Sequence, residues 1–271
     1  MTSLAERGGD ADPGIQRRDL VRLWLHAQNR GWFNTTMLRR RRFDGAVCSL
    51  KNAGSHWVKY MLSLALAELH GLPAPEHIRS NAIVGHPKRP PAHSHIPQIV
   101  TSHSAAHHLL HWRPAGRLLR LPRYVVLVRD LRHLLVSYHE KWHDAGEVDF
   151  AAYLRGRATP KRFDGTIWEF IRFLNSWAPV IQQQPERAIV ARYEDLERDT
   201  EAELVRIAAH LGIDGLTPEL ARRVAAMASR EEMAKHPDPT ENHHDKVVGL
   251  ETRAALDWYD DADRRFLSRL L

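Results

Sequence analysis

Four short apolar runs alternate with longer amphipathic stretches along this chain, and that alternation restricts the fold more than any other feature. The runs lie at 43–50 (FDGAVCSL), 99–101, 124–128 (YVVLV) and 188–191 (AIVA). YVVLV is the clearest of them, a β-branched run flanked by polar residues, as expected for a strand buried on both faces. Helical spacing follows at 55–69, 131–141, 150–154, 167–177 and 200–211. Gly71 and Pro73 stop the first of these helices, and Gly212 stops the last. Another helix starts at Thr217, an N-cap followed by Pro218 at the first helical position, and a final one is expected near 261–270. Strands separated by helices need crossover connections. The expected class is therefore a three-layer α/β/α domain with a central, mostly parallel sheet.

No repeat and no linker divides the chain, so residues 1–271 read as one domain. Residues 1–16 are polar and Gly-rich and read as a flexible end, with a short helix following at 17–30. Residues 105–112 read as a further short helix. Residues 73–97 carry five prolines after Pro73, too many for a regular element, and a loop that long in a compact domain is often functional. Residues 235–246 are polar without periodicity and read as a lid.

The formal charge of +6 points to an anionic partner: a substrate, a nucleic acid or an acidic membrane surface. The basic run at 39–42 either adds to that field or is a solvated approach to the first strand. A single cysteine, Cys48, allows no intrachain disulfide and fits a reducing compartment. The opening MTSLAERGGDADPG has no apolar core of signal-peptide length, and the apolar helix at 57–69 is too short to span a bilayer. A cytoplasmic protein without an integral membrane segment is expected.

In open parallel sheets, ligands sit beyond the C-terminal strand ends. Each strand here ends in polar residues: Lys51 to Ser55, Ser102 and His103, Arg129 and Asp130, Arg192 to Asp195. SLKNAGSHW, at 49–57, joins a strand to a helix. Gly54 permits a tight turn, Ser55 offers a hydroxyl and an N-terminal N–H, and Lys51 adds a positive charge, a combination suited to a phosphate. It is not a Walker loop, and a plain junction capped by Ser55 reads equally well. In VVLVRDLRHLLVSYHEKW, at 125–142, Arg129 follows the strand and can grip a phosphate with its planar fork. Ser137 lies eight residues on, while Arg132 and His133 add positive potential. The bland alternative makes Arg129 and Asp130 an internal ion pair.

Together these two segments resemble the nucleotide-binding regions of the cytosolic-type sulfotransferases, which use 3′-phosphoadenosine 5′-phosphosulfate (PAPS). The first resembles the family's 5′-phosphosulfate loop, usually close to YPKSGTTW. The second resembles its 3′-phosphate motif, an Arg after a strand and a Ser eight residues later. ARYEDL, at 191–196, followed by EAELVRIAAHLGI, resembles a third landmark, so that the likeness runs over roughly 43–215. It implies a P-loop-like nucleotide-binding architecture, PAPS as cofactor and 3′,5′-bisphosphoadenosine (PAP) as product. The cofactor-binding set it implies is Lys51, Asn52, Ala53, Gly54, Ser55, His56, Trp57, Arg129 and Ser137, with Tyr193 near the adenine. Lys246 and Gly249 are carried over from NHHDKVVG, at 242–249, which resembles the family's Arg-Lys-Gly clamp; a different clamp using His243 or His244 is the alternative.

The loop departs from the family pattern. Aligned on Gly54 and Trp57, Lys51 stands where the family has Pro, Asn52 where it has the catalytic Lys, Ala53 where it has Ser and His56 where it has Thr. Lys51 is the expected source of positive charge at the leaving phosphate, because a cation best answers developing negative charge. His103, in IVTSHS, resembles the family's catalytic histidine and is the expected general base. His107 and His111 share a helix face, but no third ligand completes a metal set, and no metal is expected. His86, His93 and His95 in the Pro-rich loop read as substrate-facing or solvated.

The expected reaction is transfer of a sulfuryl group to a hydroxyl or amine. The acceptor class stays open among small molecules, glycans and lipid headgroups, and a homodimer is compatible with the sequence. An ATP-dependent small-molecule kinase, a nucleic-acid-binding protein and a non-catalytic nucleotide-binding protein remain as alternatives. The kinase lacks a clear Gly-rich Lys-Ser/Thr loop, and no nucleic-acid-binding motif is recognised.

Overall fold

The computed structural model describes residues 43–112, 121–142 (for Trp142 the backbone only), 148–156, 165–236 and 256–271, together with the exposed helical residues Val21 and Leu25. Strands form where the apolar runs place them: β1 (Gly45–Ser49), β2 (Ile99–Ser102), β3 (Arg123–Val128) and β4 (Ala188–Arg192). They make one sheet of order β2-β1-β3-β4 with every pairing parallel. All five β1 residues are buried. A strand covered on both faces needs no polar alternation, which is why these segments read as continuous apolar runs.

The helices are α1 (Ser55–His70), α2 (His108–His111), α3 (Leu131–Trp142), α4 (Phe150–Leu154), α5 (Ile167–Gln183), α6 (Tyr193–Arg198), α7 (Thr200–Leu211), α8 (Pro218–Met227), α9 (Arg230–Met233) and α10 (Asp261–Leu270). From β1 the chain steps one way along the sheet to β2, then back past β1 to β3 and β4. Right-handed crossovers therefore put α1 on one face and α2, α3 and α5 on the other. α7 and α8 pack beside α1, while α2 and α3 pack on α5. Three layers result. Among the described residues no helix is long and apolar enough to cross a membrane.

Three elements differ from expectation. The helix expected at 105–112 shortens to α2. The Ala106 N–H donates to Ser176 Oγ at 2.9 Å, and His107 Nδ1 caps the helix by accepting from the Leu109 N–H at 3.2 Å. α5 runs on through Pro179 to Gln183, and Arg192 to Asp195 turn directly into α6, whose first turn carries Glu194 and Asp195. Acids there favour a helix start through the helix dipole. The flexible end at 1–16, the basic run at 39–42 and positions 237–246 of the expected lid lie outside the described residues.

Burial pushes the Cys48 thiol up to about 12, so it behaves as a small apolar group. Burial also holds four imidazoles below their ordinary value of 6.5: His56, His86, His107 and His210. His86 Nδ1 accepts from the Lys88 N–H at 3.1 Å and His107 Nδ1 caps α2, so protonating either nitrogen breaks a native bond. Below pH 6.5 the unfolded chain binds these protons and the native one resists them. Stability therefore rises with pH through this window and is lost as pH falls. Circular dichroism should show the melting temperature dropping between about pH 7 and about pH 5. A flat profile would contradict this.

Candidate active site

Because β2 and β3 flank β1 on opposite sides, the crevice at the C-terminal ends of these strands is where an open sheet takes its ligand. The β1–α1 connection enters it. Ala53 N–H donates back to the Leu50 carbonyl, Asn52 takes a left-handed φ of 60°, and Gly54, the N-cap of α1, takes a φ of 88°. A Cβ on Gly54 would stand 2.7 Å from Tyr193 Cδ2, so only glycine fits both the backbone and the ring above it. α1 has no acidic residue in its first turn and no side-chain cap, which opens its positive end to an anion. Trp57 Nε1 donates to the Ala228 carbonyl at 2.9 Å, and its ring meets Tyr193 edge-on with centroids 5.9 Å apart.

Arg129 joins this loop from the end of β3. Its Nη1 donates to the Asn52 carbonyl at 3.3 Å, and its guanidinium lies 4.3 Å from the Tyr193 ring centroid. Among the described residues no carboxylate pairs with it. The ion pair between Arg129 and Asp130 does not form: Asp130 holds Arg132 at 2.6 Å, which also keeps the Asp130 carboxyl below its ordinary range. The Asp130 N–H donates to Glu194 Oε1 at 2.8 Å, so Glu194 shapes the β3–α3 turn. Ser137, on α3, comes over the loop, its carbonyl accepting from Asn52 Nδ2 at 3.3 Å. Tyr193 is fixed by Gly54, Trp57 and a 3.1 Å hydrogen bond from Arg230 Nη2 to its hydroxyl. Asn52, Gly54, Trp57, Arg129, Ser137 and Tyr193 thus form one cradle, drawn from three strand ends. Ala53, in the same loop, and Ser55, the first residue of α1, are buried.

His103 follows β2, exposed at the strand end. Its Nδ1 lies 3.0 Å from the Ser49 carbonyl and 3.0 Å from Ser49 Oγ. A carbonyl oxygen can only accept, so Nδ1 carries the proton and the neutral ring keeps its lone pair at Nε2. The segment behind it is pinned to α5: Trp177 Nε1 donates to the Ser104 carbonyl at 3.1 Å, and Ser176 Oγ accepts from Ala106.

Lys51 takes a different direction from the one its sequence suggests. Its Nζ is 3.5 Å from Glu169 Oε2 and 6.0 Å from the Tyr138 ring centroid. Glu169, at the start of α5, is buried and also accepts from the Gly165 N–H at 2.6 Å. His56 stands in the first turn of α1. The residue is exposed, yet the surrounding protein, and after it the charges of Arg79, Lys141 and Lys59, hold its imidazole well below its ordinary value. Glu169, Ser49 and Arg230 escape a reading of the sequence because their partners lie 118, 54 and 37 residues away. Lys246, His243, His244 and Gly249 lie outside the described residues.

The sequence matches the family model described as "Sulfotransferase domain" over residues 44–266. No curated protein matches it. Among solved structures, mouse sulfotransferase SULT7A1 complexed with PAP is similar, with a TM-score of 0.58 and 15% identity over 90% of this chain and 88% of that one. Retinol dehydratase, in complex with androsterone and the inactive cofactor PAP, gives a TM-score of 0.54 and 15% identity over 86% of this chain and 81% of that one. At that identity these two likenesses concern the fold.

Proposed function

The chain belongs to the sulfotransferase domain family, and we propose that it transfers a sulfuryl group from PAPS to a hydroxyl or amine of its acceptor. The observation that carries this reading is Arg129: a guanidinium with no carboxylate partner among the described residues, stacked on Tyr193 and bonded to the loop before α1. The residues present fit the nucleotide. A 3′-phosphate suits the fork of Arg129 with the nearby Ser137 hydroxyl, the adenine suits Trp57 and Tyr193, and a 5′-phosphate suits the open first turn of α1.

When bound, PAPS supplies the activated sulfuryl group, whose S–O bond to the 5′-phosphate breaks as a new bond forms to the acceptor oxygen or nitrogen. His103 receives the acceptor's proton at Nε2, and the Ser49 carbonyl holds the ring in the tautomer that leaves this nitrogen basic. The first-turn amides of α1 stabilise charge on the departing phosphate. Lys51 adds charge there once its ammonium leaves Glu169. Replacing Lys51 by methionine, which keeps length and removes charge, should lower the single-turnover rate at saturating PAPS by roughly 10²-fold. Asn52→Ala should cost less, and the reverse order would give the role to neutral donors.

The match over 44–266 and the single sheet support one such domain. The test is turnover itself. With PAPS and a panel of phenols, alcohols, amines and sugars, PAP should accumulate in step with a sulfated product. With ATP instead, no phosphorylated product should form. ADP release with a phosphorylated product would identify a kinase.

A further inference from the structure

Trp57 and Tyr193, the two rings that suit the adenine, stand on different helices, α1 and α6. Both are nevertheless fastened at their polar ends to one short stretch of chain, the junction of α8 and α9 at Ala228 to Arg230. Ala228 is the C-cap of α8, and a carbonyl at a helix end has no partner within the helix. The buried Ala228 offers this carbonyl to Trp57 Nε1 at 2.9 Å. Ser229 caps α9 by accepting from the Glu232 N–H at 3.2 Å, which sets Arg230 as the first residue of that helix. From there Arg230 Nη2 donates to the Tyr193 hydroxyl at 3.1 Å and to Glu197 Oε1. Tyr193 and Glu197 lie four residues apart on one face of α6, so a single planar guanidinium meets both.

This contact does little for the fold. The Arg230 and Glu197 side chains are 56% and 40% exposed, and ion pairs open to water add little to stability. It does more for the site. The Tyr193 ring meets Trp57 edge-on, lies under the Arg129 guanidinium and passes close over Gly54. Those contacts bound the ring itself. Arg230 adds a hold on the hydroxyl, at the end of the side chain furthest from the backbone. A ring held at both ends keeps one orientation before any ligand arrives, so less freedom is lost when a base settles against it.

Resting on the nucleotide reading of this site, we infer that Arg230 is a positioning residue: through the Tyr193 hydroxyl it presets the aromatic slot for the adenine. The same junction holds Trp57 through the Ala228 carbonyl, so one turn of chain sets both walls of the slot. Arg230 acts on the base through Tyr193 and grips neither phosphate, which separates its role from that of Arg129.

Calorimetry on the full chain with PAP and with adenosine 5′-monophosphate tests this. Arg230→Met keeps most of the stem and removes the donors. It should weaken both nucleotides to the same extent, about three- to tenfold, because both carry adenine. The melting temperature should move by less than about 4 °C, as expected for an exposed pair. In a Tyr193→Phe background, which keeps the ring and removes the hydroxyl, the same substitution should change PAP affinity by less than about twofold. Arg230→Lys keeps a cation able to donate to the hydroxyl and should recover part of the loss. An equal loss with and without the hydroxyl would overturn the inference, since Arg230 would then not act through Tyr193. A loss seen with PAP and not with adenosine 5′-monophosphate would also overturn it, by putting Arg230 on the 3′-phosphate. Absence of PAP binding by the unaltered chain would overturn the nucleotide reading, and this inference with it.

Discussion

His103→Ala should lower turnover by roughly 10²–10⁴-fold and leave PAP affinity nearly unchanged. The size follows from the role. In the proposed role the group takes a proton in the transition state, so its loss would be felt in the chemical step and not in ground-state binding of the nucleotide. The structure adds a second handle, because the Ser49 carbonyl fixes the tautomer. A histidine whose Nδ1 is held in this way should appear in the pH profile as an inflection that disappears in the alanine variant. His103→Gln keeps a hydrogen-bonding group of similar length but cannot accept the proton, so it should be about as slow as alanine. Full turnover in either variant would move the base elsewhere, with His56 the next group in the crevice.

Arg129→Ala should weaken PAP by roughly 10- to 150-fold, the scale of one lost charge-assisted contact to a phosphate. Adenosine 5′-monophosphate, which lacks the 3′-phosphate, should lose far less. Part of the effect is indirect: removing the guanidinium also takes away the hydrogen bond to the Asn52 carbonyl and the stack on Tyr193. Arg129→Lys separates the two contributions. It keeps the charge but not the planar fork, and partial recovery is expected. Fluorescence of Trp57, whose ring meets Tyr193, would report whether the cradle itself has moved.

The sheet was legible because burial on both faces leaves a simple signature. YVVLV and AIVA are continuous apolar runs, and the helices at 55–70 and 200–211 carry their own stop signals at Gly71 and Gly212. The cradle was legible in part, since Arg129, Gly54 and Tyr193 sit at strand ends or at a helix start, positions that local sequence marks. What stayed hidden depends on contacts across the fold. Nothing near Lys51 announces Glu169, which approaches from α5, and nothing near Asp130 says whether it will turn to Arg129 or Arg132. The tie between α1 and the Pro-rich segment was hidden for the same reason. Lys59, on α1, reaches the backbone carbonyl of Arg79 across 20 residues of chain. The segment that reads as helix around His107 was misjudged because its apolar spacing suits a helix, while its first N–H groups are taken by Ser176 and by His107 itself.

On the proposed reading, Arg129 and the loop before α1 hold a nucleotide phosphorylated at both its 3′ and 5′ positions. PAP and adenosine 5′-monophosphate, titrated separately into the full chain by calorimetry, should then differ: PAP should bind at least about tenfold more tightly, with the advantage lost in Arg129→Ala. Equal affinity for the two nucleotides in the unaltered protein would rule out a 3′-phosphate site at Arg129.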